Sequence, residues 1–198
     1  MVELKLISKK FDADIFKNFS FKFEKNNIYF LSGQNGSGKS TLLKIIKGIY
    51  ICDHGEVIFE NNLNQRTDVA YVDGNYRTFF HRLTVSQNLN YFYSLQNKKD
   101  DQEYLHVIQE LFNISKLLNK KFSSLSQGQM QIVSIIRGIA SNPKIILLDE
   151  VFSSIDTKHK EIVYTYLTRF ISKTNTLAIF TSHNKNHQNL VFKELCLK

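Results

Sequence analysis

The sequence predicts an α/β fold whose core is a largely parallel β-sheet. In the last third of the chain, short apolar strand segments alternate with helical segments, which is typical of parallel sheets. Residues 145–148 are all apolar, as expected of a parallel strand covered by helices on both faces. A third observation is a glycine-rich segment that lies between an apolar stretch of strand length and an apolar helix.

The first third of the chain predicts strands and turns around that glycine-rich segment. Residues 2–6 alternate between apolar and polar side chains, which is the pattern of a half-buried strand. Residues 53–55 are a turn signal before a short strand over 56–60, and residues 69–72 form another strand. We expect an antiparallel β subdomain in this part of the chain, beside the parallel core.

The middle of the chain is mostly helical in pattern. From about residue 84 to 139 we expect a helical subdomain, inserted in the core of a single domain that spans residues 1–198. The helical spacing there includes one apolar face made of Leu105, Ile108, Leu111 and Phe112. Residues 176–180 then predict the next strand of the parallel sheet.

Composition limits the classes of protein that the chain can belong to. Of its 198 residues, 42% are hydrophobic and 22% are charged, which is ordinary for a globular protein. No stretch approaches the roughly 18 apolar residues that a membrane span requires. The first residues lack the apolar region and cleavage site of a signal peptide. We therefore expect a cytoplasmic protein that reaches a membrane only through a partner.

The net charge of +8 allows a nucleic-acid partner, but its distribution does not favour one. The lysine pairs are dispersed and no long basic run is present, so we expect a solvated basic surface and no nucleic acid. Cys52 and Cys196 lie far apart, without metal-ligand spacing, and we expect both to be free thiols.

One segment carries a motif that points to phosphate binding. It fits G-x-x-x-x-G-K-[ST], with Gly33, Gly38, Lys39 and Ser40 in register. Glycines let the backbone curl, so that successive N–H groups point at phosphate oxygens. Lys39 has the length to reach the β- and γ-phosphates, and the Ser40 hydroxyl is a ligand for Mg²⁺.

The flanks of this motif agree with a P-loop NTPase. Residues 27–32 form an apolar stretch of strand length, and an apolar helix follows the motif. The N-terminus of that helix adds partial positive charge to a phosphate site. We therefore predict a bound nucleoside triphosphate, held by Gly33, Gln34, Asn35, Gly36, Ser37, Gly38, Lys39, Ser40 and Thr41.

Four further features narrow this prediction. Residues 125–129 lie just before an apolar helix, and Asp149 and Glu150 end the apolar strand. Asp156 follows six residues after Glu150, and His183 lies just beyond a later strand. In this order, these segments resemble the ATP-binding-cassette (ABC) ATPase family over nearly the whole chain.

The resemblance implies a role for each carboxylate. Residues 33–41 correspond to the Walker A loop of the family, and residues 145–149 correspond to its Walker B strand. Asp149 would hold Mg²⁺ together with Ser40, and Glu150 would be the catalytic glutamate that polarises the attacking water. His183 would contact the γ-phosphate as the second catalytic residue.

The resemblance also implies which residues act from a second subunit. The family's signature motif binds a γ-phosphate in trans, and here it corresponds to Leu125, Ser126, Gln127, Gly128 and Gln129. Asp156 would belong to the D-loop. Phe11 corresponds to the aromatic residue that stacks on adenine, with the nearby Phe16 as the alternative.

The sequence departs from the family at three places, the first of which is Gln127 in place of a usual glycine of the signature motif. The glutamine that usually follows the strand at 69–72 is missing, and Asn75 offers the same amide on a shorter arm as a further ligand for Mg²⁺. Val151 and Phe152 replace the usual Pro-Thr after the catalytic glutamate. The missing glutamine leaves a catalytically weakened regulatory cassette as one alternative.

The resemblance implies ATP and Mg²⁺ as cofactors and a second cassette, identical or different, as a partner. It also implies separate transmembrane subunits, which would hold the chain on the cytoplasmic face of a membrane. Residues 79–80 and 91–93 are aromatic, and either dock on those subunits or pack the helical insertion. The stretch 79–85 favours export. The alternative is a soluble cassette that acts on ribosomes or nucleic acid without transport.

Overall fold

The computed structural model describes residues 1–60, 63–74, 76–95, 114–182 and 190–197. Eight strands lie in these residues: β1 Val2–Lys10, β2 Asp14–Phe23, β3 Ile28–Ser32, β4 His54–Phe59, β5 Val69–Val72, β6 Ile145–Leu148, β7 Leu177–Thr181 and β8 Lys193–Cys196. The α-helices of the same residues are α1 Lys39–Lys47, α2 Val85–Ser94, α3 Ser115–Leu118, α4 Gln127–Ala140 and α5 Thr157–Thr174.

Five of these strands form one parallel sheet in the order β5-β6-β7-β3-β8. Each neighbouring pair is parallel, so the carboxyl ends of all five strands lie at the same edge. The predicted α/β class is therefore confirmed. Strand β8 is not among the strands that the sequence predicts, because its Lys-Glu-Leu-Cys sequence has too little apolar pattern to indicate a strand.

Both faces of the parallel sheet are buried at its central strands, β3, β6 and β7. Along β3, Phe30 contributes to one hydrophobic cluster, and Tyr29 and Leu31 contribute to the other. The same alternation divides β6, where Ile146 and Leu148 lie on the first side. Helix α1 packs on the second side, because its buried leucines and isoleucines belong to that cluster. This two-sided burial explains the continuous apolar sequence of the strands.

The predicted antiparallel β subdomain is a three-stranded sheet in the order β2-β1-β4. Strand β1 is interrupted by register shifts against both neighbours, and positive φ angles occur at Leu6 in β1 and at Asn18 in β2. The strand predicted over residues 2–6 extends to Lys10 in the structure, and the strand predicted over 56–60 begins earlier, at His54.

Helices dominate the described part of residues 84–139, as the sequence predicts. Three aromatic rings fix their packing: Phe79 stacks on Phe122 at 4.3 Å between centroids, and Phe92 meets Phe79 edge-on. The Arg137 guanidinium covers both Phe79 and Phe92 and donates to Thr78 Oγ1 at 2.8 Å. Burial lowers the pKa of Arg137. The apolar face that begins at Leu105 lies outside the described residues.

Candidate functional site

The glycine-rich loop joins the carboxyl end of β3 to helix α1. Gly33, Gly36 and Gly38 have φ angles of 145°, 84° and 91°, which side chains rarely permit, so the loop needs glycine there. Helix α1 begins after Gly38 without a side-chain cap and without an acidic residue in its first turn. By contrast, the side chains of Thr84, Ser126 and Asp156 cap α2, α4 and α5. The first N–H groups of α1 are therefore open to an anion.

Lys39 spans this loop from the first turn of α1. Its ammonium donates hydrogen bonds to the carbonyl oxygens of Gly33 and Gln34, both at 2.9 Å, and its side chain is buried. Among the described residues, the buried Ser37 Oγ has no hydrogen-bond partner. The loop thus holds a positive charge beside the open N–H groups of α1, which fits a phosphate ligand. It borders a cavity of about 830 Å³ that reaches Glu194, Cys196 and Leu197.

Ser40 and Asp149 meet where α1 passes the carboxyl end of β6. The Ser40 hydroxyl donates to Asp149 Oδ1 at 2.9 Å, which leaves the lone pairs of Ser40 Oγ available to a cation. Oxygen donors of this type are those that Mg²⁺ prefers. The pair therefore fits the magnesium site that the resemblance implies.

Glu150 lies at a strained backbone position. Its φ angle is 56°, and its N–H donates to Thr181 Oγ1 at 2.9 Å. The carbonyl of Glu150 accepts a hydrogen bond from the Ser153 hydroxyl at 3.0 Å, which begins the next turn. Strain of this kind persists only where surrounding contacts hold it, and it concentrates at functional sites.

The residues that resemble the signature motif begin helix α4. Ser126 Oγ accepts from Gln129 N–H at 3.3 Å, and Gln129 Oε1 accepts from Ser126 N–H at 3.1 Å. In this capping box the Ser126 proton remains available to a ligand. Leu125 is buried, which anchors the start of the helix. A Cβ on Gly128 would lie 2.6 Å from the Ser154 carbonyl oxygen, so the helix N-terminus touches the segment before Asp156.

Asp156 caps α5 rather than facing the glycine-rich loop. Its Oδ1 accepts from His159 N–H at 3.1 Å, and its Oδ2 lies 2.6 Å from His159 Nδ1. These two contacts lower the pKa of Asp156, the backbone hydrogen bond first. Ser126, Gly128 and Asp156 line one cavity of about 560 Å³, together with Gln127, Gln129, Lys116, Lys120, Ser154 and His159.

Phe11 and Phe16 differ in exposure, and this separates the two candidates for adenine stacking. Phe11 is 48% exposed and meets Tyr50 edge-on at 5.6 Å between ring centroids. Phe16 is 7% exposed and lies against the start of α1, within 2.7 Å of where a Cβ on Gly38 would be. Of these two residues, Phe11 is the one with an exposed ring.

Two predicted residues, His183 and Asn75, lie outside the described residues. Two other residues, Tyr71 and Thr181, contact Asp149 and were not predicted from the sequence. The register of β5 and β7 against β6 is the signal that could have indicated both residues. Leu148 is paired with Phe180, so Thr181, the last residue of β7, lies level with Asp149, which directly follows β6. Tyr71 is paired with Leu147, which lies on the same face of the sheet as Asp149.

A parallel sheet with a glycine-rich loop before an uncapped helix, and a carboxylate facing that helix, defines a P-loop nucleoside triphosphatase. Comparison with known proteins identifies the group within this class. The family described as ABC transporter matches residues 16–153.

Two relatives illustrate the range of similar proteins. The cytochrome c biogenesis ATP-binding export protein CcmA of Reclinomonas americana is 33% identical over 89% of this chain and 88% of its own length. The molybdate/tungstate import ATP-binding protein WtpC of Methanocaldococcus jannaschii is 34% identical over 85% of this chain and 59% of its own length. A solved dimer of the ATP-binding cassette MJ0796, bound to ADP and Pi after hydrolysis, has a TM-score of 0.84 at 24% identity, covering 100% of this chain and 94% of that one.

The chain belongs to the ABC transporter family, and it is an ATPase cassette that binds nucleotide. Among the described residues, no helix is both long enough and apolar enough to cross a membrane. The similarity to the solved MJ0796 cassette is evidence for the fold alone.

Proposed function

We propose that two copies of this chain close on two ATP molecules and that their hydrolysis drives transport through separate membrane subunits. One observation supports the proposed dimer. The glycine-rich loop and the signature residues line two different cavities, and no described residue lines both. A two-fold dimer brings the loop of each copy to the Ser126 helix of the other, so a single interface completes both sites.

In each site, the loop of one copy holds the phosphates. Lys39 and the first amides of α1 would contact the β- and γ-phosphate oxygens, while Ser40 and Asp149 would hold Mg²⁺. The metal would neutralise charge on those oxygens. The Ser126 hydroxyl and the N-terminus of α4 from the partner copy would bind the γ-phosphate.

Glu150 would orient the attacking water and accept its proton. Its place directly after Asp149, at the carboxyl edge of the sheet, supports this role. When hydrolysis removes the γ-phosphate, the contact between the copies is lost and the dimer opens. His183 would contact the same phosphate.

The membrane partner would dock on two exposed aromatic residues, one before α2 and one on it. Phe80 and Tyr91 are exposed and meet edge-on at 4.9 Å, whereas Phe79 is buried against Phe122. Exposure therefore supports docking for Phe80 and Tyr91, and burial supports a packing role for Phe79. The relatives include import and export proteins at similar identity, so the direction of transport stays a prediction.

The test is nucleotide binding by the Lys39→Met variant, followed with a fluorescent ATP analogue. We expect the affinity to fall at least about tenfold, because a charge-assisted contact to phosphate is lost. Lys22→Met, which changes an exposed lysine on β2, is the control and keeps wild-type affinity. Equal affinity of the two variants would contradict the proposal. Association of the wild-type chain with a multi-span membrane protein, lost in a Phe80→Ala, Tyr91→Ala variant, would support the transport role.

A further inference from the structure

The Asp149 carboxylate accepts hydrogen bonds from three hydroxyl groups. Ser40 Oγ and Thr181 Oγ1 donate to Oδ1 at 2.9 and 2.8 Å, and Tyr71 Oη donates to Oδ2 at 2.8 Å. These donors come from α1, β7 and β5, so three separate elements converge on one side chain.

This arrangement fixes how the carboxylate faces the site. An ionised carboxylate has about four acceptor directions, two on each oxygen. The three hydroxyls occupy both directions on Oδ1 and one on Oδ2. One direction on Oδ2 is left for a further donor, such as water bound to a metal ion. Rotation of Asp149 would break all three hydrogen bonds at once.

Thr181 also connects Asp149 to its neighbour. Its hydroxyl accepts from Glu150 N–H at 2.9 Å and donates to Asp149 Oδ1, and its side chain is fully buried. Glu150 has the positive φ that residues with side chains rarely adopt, so the hydrogen bond to Thr181 helps to hold it there. One hydroxyl therefore sets the position of both acidic residues.

We propose that Tyr71 and Thr181 are positioning residues for metal-dependent hydrolysis. Tyr71 holds Asp149 Oδ2 in the orientation that receives the metal's water, and Thr181 locks Asp149 and Glu150 to each other. This inference rests on the proposed function, in which Asp149 serves Mg²⁺ and Glu150 serves the water. Neither hydroxyl touches the nucleotide in this account, so their effect is confined to the metal and to the Glu150 backbone.

The first experiment measures metal binding to the protein complexed with a non-hydrolysable ATP analogue, using Mn²⁺ and electron paramagnetic resonance. Tyr71→Phe and Thr181→Val should each weaken Mn²⁺ binding about 3- to 10-fold, the usual effect of one lost hydrogen bond. Thr181→Ser keeps the hydroxyl and should restore wild-type affinity. Binding of the nucleotide in EDTA should be unchanged in all three variants, since no phosphate contact is altered.

Two control variants remove similar groups elsewhere. Tyr29→Phe removes a phenol that accepts a hydrogen bond from Glu24 N–H. Thr176 lies just before the start of β7, and Thr176→Val removes its buried hydroxyl, which donates to the Pro143 carbonyl. Both controls should keep wild-type Mn²⁺ affinity, even where they lower the melting temperature.

The second experiment needs no ligand. Amide hydrogen exchange of Glu150, measured by NMR in the nucleotide-free protein, should be faster in Thr181→Val than in the wild type or in Thr181→Ser. If Thr181→Val does not fold, Tyr71→Phe alone tests the effect on metal binding. Thr181→Ala then replaces Thr181→Val in the exchange measurement.

The outcomes separate this inference from the proposed function. If the wild type binds the analogue and Mn²⁺ but Tyr71→Phe and Thr181→Val bind Mn²⁺ equally well, only this inference is overturned. If these variants lose nucleotide affinity in EDTA as much as they lose Mn²⁺ affinity, the inference is also overturned, because such a loss would show a general structural effect. If the wild type binds no nucleotide, both are overturned.

Discussion

Ser40 and Asp149 lie 109 positions apart in the chain, and the Ser40 hydroxyl donates to the Asp149 carboxylate at 2.9 Å. The parallel sheet produces this contact, because β3 and β6 both end at the same edge and only β7 lies between them. Ligands of open α/β sheets bind at this carboxyl edge. The pair therefore marks the point where the glycine-rich loop and the acidic strand end form one site.

Replacing Glu150 by glutamine should separate hydrolysis from binding. The amide keeps the size of the side chain but cannot accept a proton from water, so we expect the rate of ATP hydrolysis to fall roughly 100- to 10,000-fold. Affinity for ATP should stay at the wild-type value, because the phosphate contacts are unchanged. Phosphate release and analogue binding measure the two quantities. Glu56→Gln, at an exposed position of β4, is the control and should hydrolyse normally. Wild-type turnover by Glu150→Gln would contradict the role of Glu150.

Phe11 and Phe16 should respond oppositely to replacement by alanine. Phe11→Ala removes an exposed ring, so we expect near wild-type stability and a nucleotide affinity weaker by roughly 5- to 100-fold through lost stacking. Phe16→Ala removes a buried ring and should lower the free energy of unfolding by about 3–5 kcal/mol. Urea unfolding and analogue binding distinguish the two. A nucleotide affinity unaffected by Phe11→Ala would exclude Phe11 from the base contact.

Gly128 should not tolerate a methyl group, whereas Gly74 should. A Cβ at Gly128 would lie 2.6 Å from the Ser154 carbonyl oxygen, and backbone atoms cannot move away cheaply. We expect Gly128→Ala to lower the free energy of unfolding by about 1–3 kcal/mol and to reduce ATP hydrolysis by displacing the Ser126 helix. At Gly74 the nearest atom, Gln131 Oε1, would be 3.9 Å away, so Gly74→Ala should be nearly neutral. Equal stabilities of the two variants would contradict the close packing at Gly128.

Asp156 should make stability depend on acidity. Hydrogen bonds from the His159 backbone and side chain lower the pKa of Asp156 below its usual 3.8. A lowered folded-state pKa means that the ionised form adds stability above the unfolded pKa, and that this contribution is lost as pH falls through the folded value. Asp156→Asn keeps a capping side chain without the charge. The difference in unfolding free energy between the wild type and Asp156→Asn should therefore be present above about pH 4 and shrink below it. Urea unfolding across pH measures it, and a difference that does not change with pH would contradict this assignment.

Much of the fold was predictable because its strands are short apolar runs between turn signals. Val69–Val72 and Ile145–Leu148 are strands at the predicted bounds. Ile145–Leu148 is buried throughout, and Val69–Val72 is buried at both ends and half-buried between them, so the apolar runs coincide with the strands. Strand β8 was not predictable in this way. Its residues are mostly exposed, and pairing with β3, which is a long-range contact, makes it a strand.

The site was predictable only where chemistry imposes a local motif. The glycine-rich loop follows from residue type and spacing, whereas the expected roles of Asp149 and Glu150 follow from the resemblance to the ABC ATPase family. Tyr71 and Thr181 carry no motif, because their role comes from the register of β5 and β7 against β6. The exposure that separates Phe11 from Phe16 likewise depends on tertiary packing, which the spacing of the two residues does not encode.

The most direct test of the central claim is the mass of Glu150→Gln in solution, measured by light scattering with and without ATP and Mg²⁺. The dimer of the proposed function requires the mass to rise from that of one chain, 23.1 kDa, to twice that value when nucleotide and metal are added. A second variant, Glu150→Gln with Ser126→Arg, should remain at 23.1 kDa, because a bulky side chain replaces the hydroxyl at the interface. A mass of 23.1 kDa for Glu150→Gln at saturating ATP and Mg²⁺ would contradict the account.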